Sequence, residues 1–263
     1  MLWEELNTPQ FEKAVSDSGG VCMLPIGVLE KHGSHLPLGT DMYTSREICR
    51  AAACEAPAVV FPYYFMGQIA EARHYPGTVT LPHRLIMENL LAICDEIRRN
   101  GFTKIMIMSG HGGNNHFLPF FCQEMPRLDR DYQVYSGFVA RLTDEQRKKV
   151  TDAAGETDLG QHAGLAETAL MMHICGNLVD MNAQNPSEGE PLGRLAETRK
   201  REMFTGFNWY ADYPHHYAGD HTKATPQLGA MIFDMLVDNV TDDIRAVKAD
   251  DESLQLVREY KCR

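Results

Sequence analysis

The chain has 263 residues, 44% of them apolar and 23% charged, with a formal net charge of −11. That length buries a large core, and the composition is that of an ordinary globular protein. No basic stripe offers itself to nucleic acid, no apolar run approaches a membrane span, and the excess of acid reads as a solvated surface, so neither nucleic acid nor a membrane is the expected partner.

The opening stretch, MLWEELNTPQFEKAV, has neither the basic nor the long apolar segment of a signal peptide. Seven cysteines stand singly and form no CxxC. Reduced thiols in a cytoplasmic protein are therefore expected. Thr8-Pro9 reads as a helix start, with Thr8 as N-cap and Pro9 at the first helical position, and Ser18-Gly19-Gly20 as its stop. Residues 21–28, VCMLPIGV, form a short apolar run bounded by turn signals, which predicts a buried strand. A polar loop and a helix over 42–56 follow. Residues 58–65 predict a second strand, broken by Pro62. A loop with Gly67, Glu71, His74 and the turn Pro76-Gly77-Thr78 leads to the clearest helix, over 85–97. There Leu85, Ile86, Leu90, Ile93, Cys94 and Ile97 recur at helical spacing. Asn100-Gly101 ends it.

Residues 103–108 predict a third strand that runs into SGHGGN, Ser109 to Asn114. A helix over 115–128 and a fourth strand over 132–138 come next. This alternation predicts an α/β fold: a three-layer α/β/α arrangement with a mostly parallel central sheet. After Thr143 come a charged exposed helix, an apolar helix within 163–175, a loop-rich stretch over 184–223 and a closing helix over 226–240. No repeat or linker is visible, so one domain over 1–263 is expected.

Two polar clusters follow strands directly, on the edge where such sheets bind ligands. The first, PIGVLEKHGSHLPLGTD, holds Glu30, His32, His35 and Asp41. In an extended segment Glu30 and His32, two apart, point the same way. Asp41 could bend back and bridge two ions with its two oxygens. The second cluster places His111 among Gly110, Gly112 and Gly113, which allow close backbone approach. A third loop around 162–167 adds Glu167. Two histidines and three carboxylates suit Zn²⁺ or Mn²⁺, with Fe²⁺ also possible. Simpler readings stand beside these. Asp41 could cap its helix, His35 could be a satisfied polar group, and Glu71, His74 and Asn114 could be loop or pocket residues. SGHGGN could be an anion-cradling turn, although it fits neither nucleotide-loop spacing. His173, Met171 and Met172 read as core; His215, His216 and His221 are not assigned.

The motifs LPIGVLEKHGSHLPLGTD, HYPGTVTL, SGHGGN, QHAGLAET and GDHTKATPQLG occur in the order seen in the creatininase family, and the sequence resembles that family over about residues 21–230. The resemblance implies an α/β fold, one or two divalent metals and a homo-oligomer, often a hexamer. It implies Glu30, His32, Asp41 and His111 as metal ligands, with Asp41 the bridging carboxylate. It also implies His162 as the proton-transferring histidine and Glu167 as a further carboxylate, metal-binding or catalytic. Three departures matter. Gly113 stands where creatininase has a metal-binding glutamate, Gly112 where it has an aromatic substrate contact, and Asp158-Leu159 where it has a Trp-Asp pair. The second metal position is then either lost or completed by Glu167, and creatinine is not the expected substrate. The resemblance implies a hydrolase using metal-activated water to open a small cyclic amide or cleave a formamide. Its alternatives are a carbon–carbon hydrolase opening a diketo cyclitol and a non-catalytic relative that binds a small molecule.

Overall fold

Apolar side chains alternate between two cores along the first strand, β1 (Val21–Ile26). Val21 and Met23 face one, and Cys22, Leu24 and Ile26 face the other. A strand buried on both faces belongs in the middle of a parallel sheet. In the computed structural model, which describes residues 1–262, β1 lies between β2 (Val59–Val60) and β3 (Lys104–Ser109), with β4 (Gln133–Phe138) beyond β3. All three pairings are parallel. β3 repeats the alternation, with Met106 and Met108 on one side and Ile105 and Ile107 on the other.

Helices cover both faces. α1 (Thr8–Asp17) is followed by α2 (Thr40–Glu55), α3 (His83–Arg99) and α4 (Asn114–Glu124). After β4 come α5 (Asp144–Ala154), α6 (Leu165–Cys175), the short α7 (Ala196–Arg199) and α8 (Asn208–Asp212), then α9 (Pro226–Ala249) and α10 (Glu252–Lys261). Ile48 and Ala52 of α2, Leu165 and Ala169 of α6, and Ile232 and Leu236 of α9 build the first core. Leu90 and Ile97 of α3 and Phe121 of α4 build the second. No helix among the described residues is long and apolar enough to cross a membrane.

The differences from expectation have local causes. Asn7, not Thr8, caps α1: its side chain accepts from Gln10 N while Gln10 answers at the Asn7 N–H. β2 pairs with β1 only at Val59 and Val60; Phe61 N–H still donates to Met23 O at 2.8 Å, the chain leaves the ladder at Pro62, and it meets β1 once more at the Ile26–Tyr64 bridge. α4 stops at Glu124 and gives way to a tighter turn over Met125–Arg127. α9 runs past 240 because buried Ile244 and half-buried Val247 continue its apolar stripe. α10 follows as an unanticipated amphipathic helix.

Two glycines set how the layers meet at the carboxyl edge. A Cβ on Gly27, just after β1, would stand 2.5 Å from Met42 N; one on Gly110, just after β3, would stand 2.3 Å from Asp41 O. Only bare backbone lets the first turn of α2 rest on both strand ends, which brings Asp41 over the edge.

Candidate metal centre

The loop after β1 brings Glu30 and His32 to the edge, and Glu30 N–H is tied to Leu38 O at 3.1 Å. Asp41 lies inside the first turn of α2, with Gly39 at the cap position, so its carboxylate is free of capping duty. His111 follows β3, where Ser109 Oγ donates to His111 O at 2.9 Å. All four side chains are buried.

Proton bookkeeping shows what the centre lacks. His111 Nε2–H donates to Gln68 O at 2.8 Å. The other nitrogen, Nδ1, lies 2.8 Å from Glu30 Oε1 and 3.1 Å from Asp41 Oδ2. Two carboxylate oxygens and an imidazole nitrogen this close need positive charge among them, either a second proton or a metal ion. Neither oxygen is placed to accept a hydrogen bond, and buried acceptors left that way are costly. A cation shared by the three atoms resolves this. Across the centre, His32 Nδ1–H donates to Glu30 O at 3.3 Å, and its Nε2 faces Asp41 Oδ1 at 3.1 Å and Glu167 Oε2 at 4.0 Å. Asp41 thus turns one oxygen toward His111 and the other toward His32. Three donor groups, Glu30/Asp41/His111, His32/Asp41/Glu167 and Glu30/His32/His162, each gather within 4.8 Å. This mixed nitrogen and oxygen set fits Zn²⁺ or Mn²⁺.

The charges agree. Burial opposes a proton on His32, but Asp41, Glu30 and Glu167 outweigh it and lift that imidazole to about 10. Burial likewise opposes charge on His111, and Glu30 and Asp41 again win, raising it well above its ordinary value. Glu30 is held well below the usual carboxylate range: burial works against this, and the charge of His111 with the hydrogen bond from His216 overcomes it.

The third loop closes over the same place. Ala163 takes a positive φ of 54° and donates its N–H to Glu167 Oε2 at 2.5 Å from four residues away. Burial pushes Glu167 up to about 7 against the pull of His32, although its side chain keeps 30% of its surface open. His162 donates Nε2–H to Lys31 O at 2.9 Å and packs its ring 4.2 Å from that of His32. Burial, with His32 beside it, pushes His162 well below its ordinary value, so it is neutral.

His35 points behind the centre, donating Nε2–H to Thr168 Oγ1 at 2.8 Å, and stacks on His221. Asn114 is buried and holds the His111 loop, accepting from Gln68 N at 2.9 Å and donating to Ser109 Oγ at 3.2 Å. Glu71 accepts from Gln68 Nε2 at 2.7 Å, and His74 packs on Tyr75 and Tyr210. Both line an open cleft of about 1470 Å³, whose walls also include Gly113, Phe117, Phe207 and Trp209.

Three contributors lie outside the sequence motifs. Gln68 presents a backbone carbonyl, which any residue could supply. His216 donates Nε2–H to Glu30 Oε2 at 2.5 Å, and Trp209 Nε1–H donates to His216 Nδ1 at 3.1 Å. Trp209 also meets His162 edge to face at 5.7 Å. A tryptophan therefore does reach His162, from a later segment than the Trp-Asp pair of creatininase. Only the rarity of paired histidines in a loop-rich stretch could have drawn attention to His216.

A parallel α/β sheet whose carboxyl edge gathers buried carboxylates and imidazoles around one aspartate has the architecture of a metal-dependent hydrolase. The comparisons fix the class: the model of the creatininase family, creatinine amidohydrolase, matches residues 4–244. The chain belongs to that family. It is 27% identical over 195 residues to the creatinine amidohydrolase of Pseudomonas putida, covering 68% of this chain and 73% of that one. It is 26% identical over 234 residues to the mycofactocin precursor peptide peptidase of Mycobacterium ulcerans strain Agy99, covering 84% and 83%. Among solved structures, a mutant creatininase of Zn-Zn type superposes with a TM-score of 0.76 at 22% identity, covering 94% of this chain and 98% of that one.

Proposed function

We propose that the protein is a divalent-metal-dependent amidohydrolase. The observation that carries this reading is the division of Asp41 between two donor sets, Oδ2 with Glu30 and His111, Oδ1 with His32 and Glu167. On this reading Glu30, Asp41 and His111 would hold one ion, and His32, Asp41 and Glu167 would hold a second. Glu167 takes the duty that Gly113 cannot: a Cβ at Gly113 would meet His111 Nε2 at 2.4 Å. Zn²⁺ or Mn²⁺ is the expected metal, and the Zn-Zn form of the structural neighbour supports it. A divalent ion supplies Lewis acidity, lowering the pKa of bound water to near ~7 and polarising a carbonyl.

The chain's own groups do the rest. His162 is neutral with its proton on Nε2, so Nδ1 can take a proton from water and return it to a leaving nitrogen. Glu167, lifted to about 7, faces the same space and can hold a proton when no ion claims it.

The small cyclic amide or formamide expected from the resemblance would fit the centre but leave the adjoining cleft empty. At about 1470 Å³ with aromatic walls, that cleft exceeds the ~300–1,000 Å³ of ordinary ligand pockets. An amide bond within a larger, peptide-like molecule suits it better, and the mycofactocin precursor peptide peptidase relative supports this choice. Self-association, the hexamer implied by the family resemblance, belongs to the same proposal. The deciding experiment assays Zn²⁺- and Mn²⁺-loaded protein against creatinine, N-formyl amines and aromatic-rich peptides. Chelator-sensitive amide hydrolysis with preference for the peptides is expected. No hydrolysis of any amide by metal-loaded protein would overturn the proposal.

A further inference from the structure

Glu30 is gripped from behind by a segment that none of the metal motifs contains. Trp209, in α8, donates its indole N–H to His216 Nδ1 at 3.1 Å. An indole nitrogen only donates, so Nδ1 of His216 must be the acceptor and its single proton sits on Nε2. That proton goes to Glu30 Oε2 at 2.5 Å. With Oε2 occupied, the other oxygen, Oε1, is the one left facing His111 Nδ1 at 2.8 Å, and it accepts no hydrogen bond.

We propose that Trp209 and His216 form a positioning relay for Glu30, in which the indole sets the tautomer of His216 and His216 sets which carboxylate oxygen is presented to the cation. This rests on the metal-binding reading above. The opposite tautomer would turn a lone pair toward the carboxylate and put Nδ1–H against the indole N–H, two repulsions in place of two hydrogen bonds. The backbone gives independent support. His216 takes a φ of +53°, which a residue with a side chain keeps only where its surroundings hold it. They do so: His216 O accepts from Gly33 N at 3.0 Å, inside the first metal motif, and His216 N donates to Tyr213 O at 3.0 Å. The next residues continue the tie, since Ala218 pairs with His162 as an antiparallel bridge.

The relay starts at the cleft. Trp209 is half-buried and forms part of the cleft wall, while His216 and Glu30 are buried. The surface that would meet a substrate and the carboxylate that would hold the metal are therefore joined by two hydrogen bonds. On this relay His216 acts through Glu30, the carboxylate it donates to.

The test is Zn²⁺ affinity of chelator-stripped full-length protein, measured by competition with a chromophoric chelator. Wild type is compared with Trp209→Phe, His216→Ala and His216→Gln. Histidine tautomers are read by ¹⁵N NMR on the stripped wild type and Trp209→Phe. His216→Ala is expected to weaken Zn²⁺ binding about 10- to 100-fold, the usual loss for a residue that orients a ligand. Trp209→Phe keeps an aromatic ring in the cleft wall but removes the N–H together with part of the indole's packing, so it should show part of that loss, and mixed His216 tautomers mark the lost hydrogen bond. His216→Gln, which keeps an N–H in place, should recover most of the affinity. Should His216→Ala fail to fold, Trp209→Phe carries the test. Variants that bind Zn²⁺ as tightly as wild type, with an unchanged tautomer, would overturn the relay alone. A wild type that takes up no Zn²⁺ would overturn the metal reading and the relay together.

Discussion

Asp41 Oδ2 and His111 Nδ1 stand 3.1 Å apart at the carboxyl edge of the sheet, and that oxygen accepts no hydrogen bond. One atom comes from the first turn of α2 and the other from the loop after β3, so the approach depends on how the two strand ends carry the helix. Asp41 uses its second oxygen on His32, also at 3.1 Å. The aspartate is therefore the one group that both halves of the centre share.

Gly110→Ala tests the scaffold under that contact. Its new Cβ would meet Asp41 O at 2.3 Å, and backbone cannot step aside as a side chain can. We expect a stability loss of about 1–3 kcal/mol, typical of overpacking, together with weaker metal binding. Urea unfolding and a chelator competition check both. Wild-type values in each would show that α2 does not press on this strand end.

Proton release should accompany metal uptake. In the metal-free protein His32 is lifted to about 10, so it carries an extra proton at neutral pH, and Glu30 and Asp41 raise His111 in the same direction. An ion at these nitrogens must displace their protons, so apparent affinity rises with pH up to about 10. Calorimetry in buffers of different ionisation enthalpy measures the release directly. Affinity independent of pH would show that these nitrogens are not ligands.

His162→Gln should separate chemistry from binding. The substitution removes the group expected to move a proton and leaves the Glu30/Asp41/His111 set intact. A fall in kcat of about 10²- to 10⁴-fold is expected with metal content unchanged. Metal lost in step with activity would make His162 a ligand instead.

His35→Gln reports on the packing behind the centre. Burial, with His221 and His32 adding to it, pushes His35 down from 6.5 to about 3. A depressed histidine binds its proton in the unfolded chain first. Wild-type stability therefore falls as pH drops below 6.5, by up to ~1.4 kcal/mol per pH unit for this group. Glutamine does not titrate, so its variant should lose less on acidification. Unfolding of the metal-free proteins from pH ~6.5 to ~4 measures the difference, and parallel curves would contradict the assignment.

Much of this site was legible because it obeys local rules. Apolar runs end directly at Glu30 and His111, and the alternation of strand and helix places those ends on one edge of the sheet. Asp41 was ambiguous, since a cap and a ligand look alike before a helix; only the position of Gly39 at the cap decides it. The second strand looked long because its apolar composition outruns its hydrogen bonding, which Pro62 interrupts. His216 and Trp209 were out of reach for another reason. The His216–Glu30 bond spans 186 residues, and no periodicity or spacing encodes a contact made by an irregular segment folding back across the chain. The cleft walls share that origin, with Phe207 and Trp209 set by the same segment.

The most direct measurement is the divalent metal content of protein purified without chelator, wild type beside Asp41→Asn. The wild type is expected to carry one or two equivalents of Zn²⁺ or Mn²⁺ per chain. Asp41→Asn should lose metal from both donor sets, because each depends on one of its oxygens. Metal-free wild-type protein that stays metal-free after incubation with Zn²⁺ and Mn²⁺, or an Asp41→Asn variant as fully loaded as wild type, would contradict a centre built around this residue.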